Sequence, residues 1–250
     1  MKANWKIALM CVATLSFVAC KDKNQPDQGG SGSGDEVEYQ AKISVNDLSI
    51  ADWDSLDVRN VYVSKITPNP LWGGVHMVKV YADSVYINWM MVFDPVKYAK
   101  HRDVDVMHIF LNVDNDKTTG GYFDLFKDAC ADLMFEGPLY SEGAPINYAP
   151  SIYEWKNDTI KEGWENWGEA VATMTAESQF VNDSTLEARM MIENIYGKDK
   201  FSKEGFGFGI TLTQNFQPDA VGFLPQGDTP DGEHIGRLDM LSVKFAPVEK

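Results

Sequence analysis

Alternation of apolar and polar positions with a period of two dominates this chain and predicts strands joined by tight turns. Val75 to Ala82 and Val85 to Phe93 are two such runs, separated by Asp83-Ser84, a hairpin signal. In the second run Val85, Ile87, Trp89, Met91 and Phe93 share one face, while Tyr86, Asn88, Met90 and Val92 share the other. Both faces are largely apolar, which predicts a central strand. Met107, Ile109, Leu111 and Val113 line one face of a further strand, and Leu133 to Phe135 forms another apolar run. Ser151 to Lys156 meets the turn Asn157-Asp158, and Ser178 to Val181 meets the turn Asn182-Asp183. In the run Thr185 to Ile192, Leu186, Ala188, Met190 and Ile192 point inward. Phe206, Phe208, Ile210 and Leu212 alternate with Gly207, Gly209, Thr211 and Thr213, and Leu238 to Phe245 closes the chain. The glycine-spaced stretch Gly205 to Gly209 reads as close sheet packing. Ile195 to Lys200 predicts a single helical turn, and Gln214 to Gly236, rich in Gly and Pro, reads as a loop. Short strands with recurring turns and almost no helical period predict an all-β fold, an antiparallel β-sandwich of jelly-roll or immunoglobulin-like kind.

The first residues follow a different pattern. Lys2 and Lys6 precede the apolar run Ile7 to Val18, which is twelve residues long and too short to span a bilayer as a helix. Phe17-Val18-Ala19-Cys20 resembles the lipobox of bacterial lipoproteins, with Phe in place of the usual Leu. That resemblance implies a signal peptide over residues 1–19 and lipidation of Cys20. Residues 20–36 then form a tether. Lys21 to Glu36 contains no apolar residue larger than Pro, and its Gly, Ser, Asp and Gln make a flexible coil. Its root-mean-square span is about 20–25 Å. A single domain over residues 37–250 is expected beyond it, held in the cell envelope at the outer membrane, facing the periplasm or the outside.

Composition narrows the functions. Removing residues 1–19 takes away two lysines and no acid, so the formal charge moves from −15 to −17. An acidic domain without a basic footprint is a poor nucleic-acid partner. Cys11 leaves with the signal peptide and Cys20 is the anchor, so Cys130 alone remains and no disulfide forms within the domain. Flanked by Ala129 and Ala131, Cys130 reads as a small buried hydrophobe. His76, His101, His108 and His234 are scattered and show no zinc spacing, and no nucleophile elbow, P-loop or dinucleotide fingerprint occurs. The many acids single out no pair for glycoside hydrolysis. An enzyme is not expected.

Two groups of residues carry candidate chemistry. The turn Asp114-Asn115-Asp116-Lys117-Thr118-Thr119-Gly120-Gly121 is packed with oxygen ligands. Asp114, Asp116 and Thr118 supply oxygens at alternate positions, and Asp124 or Asp128 would complete a calcium shell of about six to eight oxygens. The loop is not an EF-hand, because its glycine comes one place late and no Glu closes it. The competing reading is a turn whose Asp and Asn side chains bond local backbone N–H groups. The second group is aromatic. Trp72 lies in Pro68 to Gly74, and Trp164 and Trp167 lie in Glu162 to Gly168, loops by composition. An exposed indole offers a flat apolar face to a sugar ring. Trp53, Trp89 and Trp167 have the alternative of packing as core.

A strand ending in Asp-x-Asp-x-x-Thr-Gly, here Asp114, Asp116, Thr119 and Gly120, resembles the β-sandwich modules related to family 9 carbohydrate-binding modules and DOMON-type domains. Ala131-Asp132-Leu133 matches a later step of that pattern, and Asp52-Trp53-Asp54 matches its opening Asp-Trp pair. The resemblance spans Ile43 to Phe245. It implies a membrane-anchored, non-catalytic lipoprotein that binds a glycan, with a structural calcium ion as a candidate cofactor. An adhesion or structural component of an envelope assembly is the first alternative, and a glycoside hydrolase the second.

Overall fold

The computed structural model describes residues 39–65, 75–93, 105–121, 131–141, 144–156, 164–173, 176–195, 199, 201–214, 220–224 and 240–247. The chain divides into two units, Met1–Gln40 and Ala41–Lys250, and the fold is that of the second. Cys20, the tether, Trp72, Asp124, Asp128 and Cys130 lie outside the described residues.

The strands are β1 (Tyr62–Lys65), β2 (Val75–Ala82), β3 (Tyr86–Phe93), β4 (Asp105–Asn112), β5 (Leu133–Pro138), β6 (Tyr140–Ser141) and β7 (Ala144–Pro145). They continue with β8 (Ser151–Glu154), β9 (Ala172–Thr173), β10 (Glu177–Asn182), β11 (Thr185–Met191), β12 (Phe206–Gln214), β13 (Ala220–Leu224) and β14 (Leu241–Val243). One sheet has the order β1-β2-β3-β11-β10. The other runs β13-β12-β4-β5-β8-β9, with β14 also on β12. Strands β6 and β7 form a small separate hairpin. Every pairing between these strands is antiparallel. The domain is an all-β antiparallel sandwich, as the alternation predicts.

The turns form for local chemical reasons. Asp83 Oδ1 accepts from the backbone N–H of Val85 and of Tyr86, at 2.8 Å each, and folds the β2–β3 hairpin. Asn182 Oδ1 accepts from the Ser184 N–H at 2.9 Å and does the same for β10–β11. Strand β3 is central, with Trp89 opposite Val80 on one side and Ala188 on the other. The core lies between the sheets. Val78, Val80, Ile87, Trp89, Met91, Leu186, Ala188 and Met190 meet Met107, Ile109, Leu111, Phe135, Phe206, Phe208, Ile210 and Leu212 there. Trp89 is fully buried, edge-on to Tyr148 with ring centroids 6.3 Å apart. The Tyr148 hydroxyl donates towards the Met107 and Phe135 carbonyls, and burial pushes its pKa up.

Gly207 in β12 and Gly205 just before it sit in close packing. A Cβ on Gly207 would lie 3.1 Å from both Asn112 Cβ and Met240 Cβ. Gly205 has φ +119°, and a Cβ there would fall 2.1 Å from the Val243 carbonyl oxygen. Only glycine takes that conformation against that neighbour.

The outer face of the first sheet is covered by a strap, residues 41–57. Ile43, Val45 and Trp53 pack on Tyr81 and Met90 with Ala246, joined by Leu56, Met77 and Val92. The five-residue helix Ala51–Ser55 buries Trp53. Arg189 Nη1 donates to the Ile43 carbonyl at 2.8 Å, and the Leu48 N–H donates to Gln179 Oε1 at 3.1 Å.

Two elements depart from the pattern reading. The stretch Gln214 to Gly236 contains β13, paired with β12 from Ile210 to Thr213. Its short run Ala220-Val221-Gly222-Phe223-Leu224 is too brief to stand out beside the surrounding Gly and Pro. Strand β1 was hidden for the same reason, with four residues and exposed side chains at Val63 and Lys65. A 3-10 turn occupies Ile192–Asn194, and the expected turn over Ile195 to Lys200 lies mostly outside the described residues, with Asp199 within it in 3-10 conformation. Among the described residues no helix is long and apolar enough to cross a membrane.

Candidate functional site

The acidic loop leaves the end of β4 and returns at the start of β5. Its first carboxylate, Asp114, bonds within the loop: Oδ1 accepts from the Asp116 N–H at 2.8 Å and Oδ2 from the Thr119 hydroxyl at 2.9 Å. Asp116 Oδ1 accepts from both the N–H and the hydroxyl of Thr118, at 2.8 and 2.7 Å. Asn112 Nδ2 donates to the Asp116 carbonyl at 3.3 Å. Asp132, from the far side of the loop, accepts the Val113 N–H at 2.8 Å. These are the bonds of an Asx-rich turn, in which short acidic side chains substitute for backbone partners. Asn115 and Gly120 take positive φ, +60° and +71°, to let the chain double back. A Cβ on Gly120 would stand 2.6 Å from the Ala131 carbonyl oxygen, so glycine is needed where the loop closes on β5.

The loop is stitched to the aromatic side of the second sheet. Gly121 and Ala131 exchange both backbone bonds, at 2.9 and 2.6 Å, and the Trp155 N–H donates to the Asp132 carbonyl at 2.9 Å. Gly121 lies flat against the Trp155 indole, since a Cβ there would come 2.4 Å from Cε3. Trp155 meets Trp167 edge-on at 5.2 Å, and Trp167 leans on Phe110 at 6.0 Å.

Between the loop and β8 opens a cleft of about 500 Å³, lined by Val113, Asp114, Thr119, Gly120, Asp132, Glu154 and Trp155. Carboxylates of three residues and the Thr119 hydroxyl give it a wall of hydrogen-bond acceptors. The indole edge adds an apolar surface. Such a lining accepts hydrogen bonds from hydroxyl groups and favours neutral or cationic ligands over anions.

Away from the core, a polar rank crosses the same sheet. Thr211 pairs with His108, His108 with Glu136, and Glu136 with Ser151. His108 Nε2 lies 2.8 Å from Glu136 Oε2, and the Tyr153 hydroxyl lies 3.5 Å from Glu136 Oε1. Burial, with the nearby Glu136 charge, raises the Tyr153 pKa. His108 and Thr211 are buried, and none of the four residues of this rank lines the cleft.

The sequence-derived candidates distribute unevenly. Asp114 lines the cleft, while Asp116 and Thr118 are bonded within the turn. Among the described residues no three acidic, histidine or cysteine side chains gather as a metal shell. Trp167, read from the sequence as either platform or core, is 3% exposed and packs between Trp155 and Phe110. It is a buried support for Trp155, and its ring offers no open face. Trp164 opens the 3-10 turn that ends at Trp167. Trp53 and Trp89 are core. Glu154 and Trp155 escaped the sequence reading, although Tyr153 and Trp155 continue the period of two opposite the core residue Ile152. Comparison with known families, curated proteins and solved structures finds no match for the chain.

Calcium binding at the loop has a direct test. Binding to the folded state alone must raise the melting temperature by mass action, about 2.7 kcal/mol at a hundredfold excess over Kd. The expected result is a calcium-dependent rise that chelator reverses and that the Asp114→Ala, Asp116→Ala double variant lacks. A melting curve indifferent to calcium would leave the loop as a self-bonded turn.

Proposed function

We propose that this protein is a non-catalytic carbohydrate-binding lipoprotein of the cell envelope, tethered through Cys20, with its glycan held at the cleft beside the acidic loop. The observation that carries this reading is the cleft itself. It joins an indole surface to acceptors from Asp114, Thr119, Asp132 and Glu154 on one rigid sheet end. Carboxylates accept pairs of sugar hydroxyls, and an aromatic edge meets the C–H groups of the ring. Trp72 and Trp164 extend the proposal as further stacking surfaces, on the sequence reading of their loops. The resemblance to family 9-type modules supports the ligand class, and the acidic charge suits a neutral polysaccharide.

Titration of the full chain with neutral polysaccharides, alongside melting, tests this. Glu154→Gln removes one charged acceptor, and a hydrogen bond to a charged group contributes about 1.5–3 kcal/mol, so binding should weaken at least tenfold. Trp72→Ala or Trp164→Ala should each weaken it about thirtyfold if that ring is a main anchor. Trp167→Ala should instead melt early. Absence of any glycan response in the parent chain would favour adhesion to a protein partner. Release of new reducing ends would make it a hydrolase.

A further inference from the structure

Glu187 is the most conspicuous ionisable group outside the cleft. It sits on β11, on the outer face of the first sheet, and is completely buried. Its Oε1 accepts the indole N–H of Trp53 at 2.5 Å, and its Oε2 has no hydrogen-bond partner. The cover is the strap. Trp53 reaches Glu187 from the helix Ala51–Ser55, while Ile43 and Val45 close the same apolar layer over Met90 and Tyr81.

Among the described residues no basic side chain pairs with Glu187, and Lys42 of the strap is exposed. From the strap come two acids, Asp47 and Asp52, whose charges oppose its ionisation. On β10 its cross-strand neighbour is the uncharged Gln179. On β3 the neighbour is Met90, and Lys79 of β2 lies one strand further along the same rank. Arg189, two residues along β11, is committed elsewhere. It binds Glu177 Oε2 at 2.6 Å and the Ile43 carbonyl at 2.8 Å, and lies over the Tyr86 ring. The segment that brings Ala246 carries an exposed lysine, Lys244.

We propose that Glu187 makes the strap a pH-sensitive clasp: neutral, it lets residues 41–57 seat on the sheet, and ionised, it loosens them. A buried, one-sided carboxylate favours its uncharged form. Desolvation raises the Glu187 pKa from 4.5 to about 7, with Asp47 and Asp52 adding to the rise and the Trp53 bond opposing it. With the strap open, the carboxyl returns to water and to its ordinary value. The closed state therefore holds more protons between those two values. Seating of the strap is complete below pH 4.5, weakens as pH rises, and reaches its weakest level above pH 7. The opening equilibrium can change by at most about 300-fold across that window. Near pH 4.5 the strap covers the apolar Tyr81–Met90 surface most firmly. As pH rises, the segment that leads back towards the tether gains freedom.

Hydrogen exchange of the full chain, read by mass spectrometry from pH 5 to 9 and corrected for the intrinsic pH dependence of exchange, tests the clasp. The amides of Ser44, Leu48 and Trp53, bonded to Asp52, Gln179 and Ile50, report on the strap. Protection of peptides from residues 41–57 should fall tenfold or more between pH 5 and 7 and level off above pH 7, while peptides from β3 and β12 stay unchanged. Glu187→Gln, always neutral, should hold the strap closed throughout and flatten the profile. Trp53→Phe removes a donor that favours the ionised form, so the fall should level off at higher pH, and this variant serves if Glu187→Gln does not fold. Flat protection in the parent chain, an unchanged profile in Glu187→Gln, or an unmoved levelling-off point in Trp53→Phe would each overturn the proposal.

Discussion

Replacing Trp89 by Ala is expected to destabilise the domain by about 3–5 kcal/mol, the cost of emptying a large aromatic site in a packed core. Trp89 has no exposed surface, sits on the central strand β3 and touches residues of both sheets. Its neighbours on the adjacent strands are Val80 and Ala188, and Tyr148 stands edge-on to it. Strands on either side are held by a continuous ladder, so they cannot collapse into the space without losing register. A native domain has only about 5–15 kcal/mol in hand, so this one change consumes a large share. For a domain near 200 residues, 1 kcal/mol moves the melting temperature by about 2–4 °C, which makes the expected fall about 10 °C. Val58, which is 84% exposed, provides the contrast, since Val58→Ala should change stability by less than about 0.5 kcal/mol. Urea unfolding of both variants decides it. A Trp89→Ala loss below 1 kcal/mol would mean that the sandwich core does not close around this residue.

Replacing Cys20 by Ser is expected to move the protein from the membrane fraction to the soluble fraction. Acyl chains supply each buried CH₂ with about 0.8 kcal/mol, and stable anchoring needs two chains or one chain with a basic patch. The stretch from Lys21 to Glu36 contains no apolar run that could replace them, and its Lys21 and Lys23 are offset by acids. Without the thiol no chain is attached. Fractionation after carbonate washing, with the mass of the mature protein to count acyl chains, measures the effect. A parent protein whose mass shows no lipid would remove the lipoprotein proposal and leave the domain secreted.

Much of the architecture was legible in the order of residues. Strands β2, β3, β11 and β12 appear where apolar residues alternate, because a period of two is the only one that presents a single face of a pleated chain to a core. The tight turns at Asp83 and Asn182 were legible too, since short acidic and amide side chains bond the backbone within two or three residues. The edge elements were not. Strands β1, β9 and β13 are short, with four, two and five residues. Nothing local distinguishes them from loops.

The cleft shows the same division. The acidic loop stands out as a run of Asp, Asn and Thr, and its resemblance to sugar-binding modules rests on those residues. The sequence left open whether its side chains serve a metal or the backbone. Only the fold shows Asp114 and Asp116 turned inward to the Asp116 and Thr118 N–H groups. Glu154 and Trp155 became part of the site because β8 pairs with β5, which brings them beside a loop more than thirty residues earlier. Trp167 lost its place as a platform because Trp155 and Phe110 fill the space around its ring.

By itself, the sequence determined the β class, the main strands and their inward faces, and the absence of a disulfide within the domain. Each of these depends on interactions among near neighbours in the chain. The tertiary structure alone decided which tryptophans are buried, which acids share a cleft, and that Glu187 lies under the strap opposite Trp53. Each of those depends on contacts between residues far apart in the chain, 134 positions for Trp53 and Glu187. Such contacts arise from sheet pairing and from competition for core space, and no local pattern encodes them.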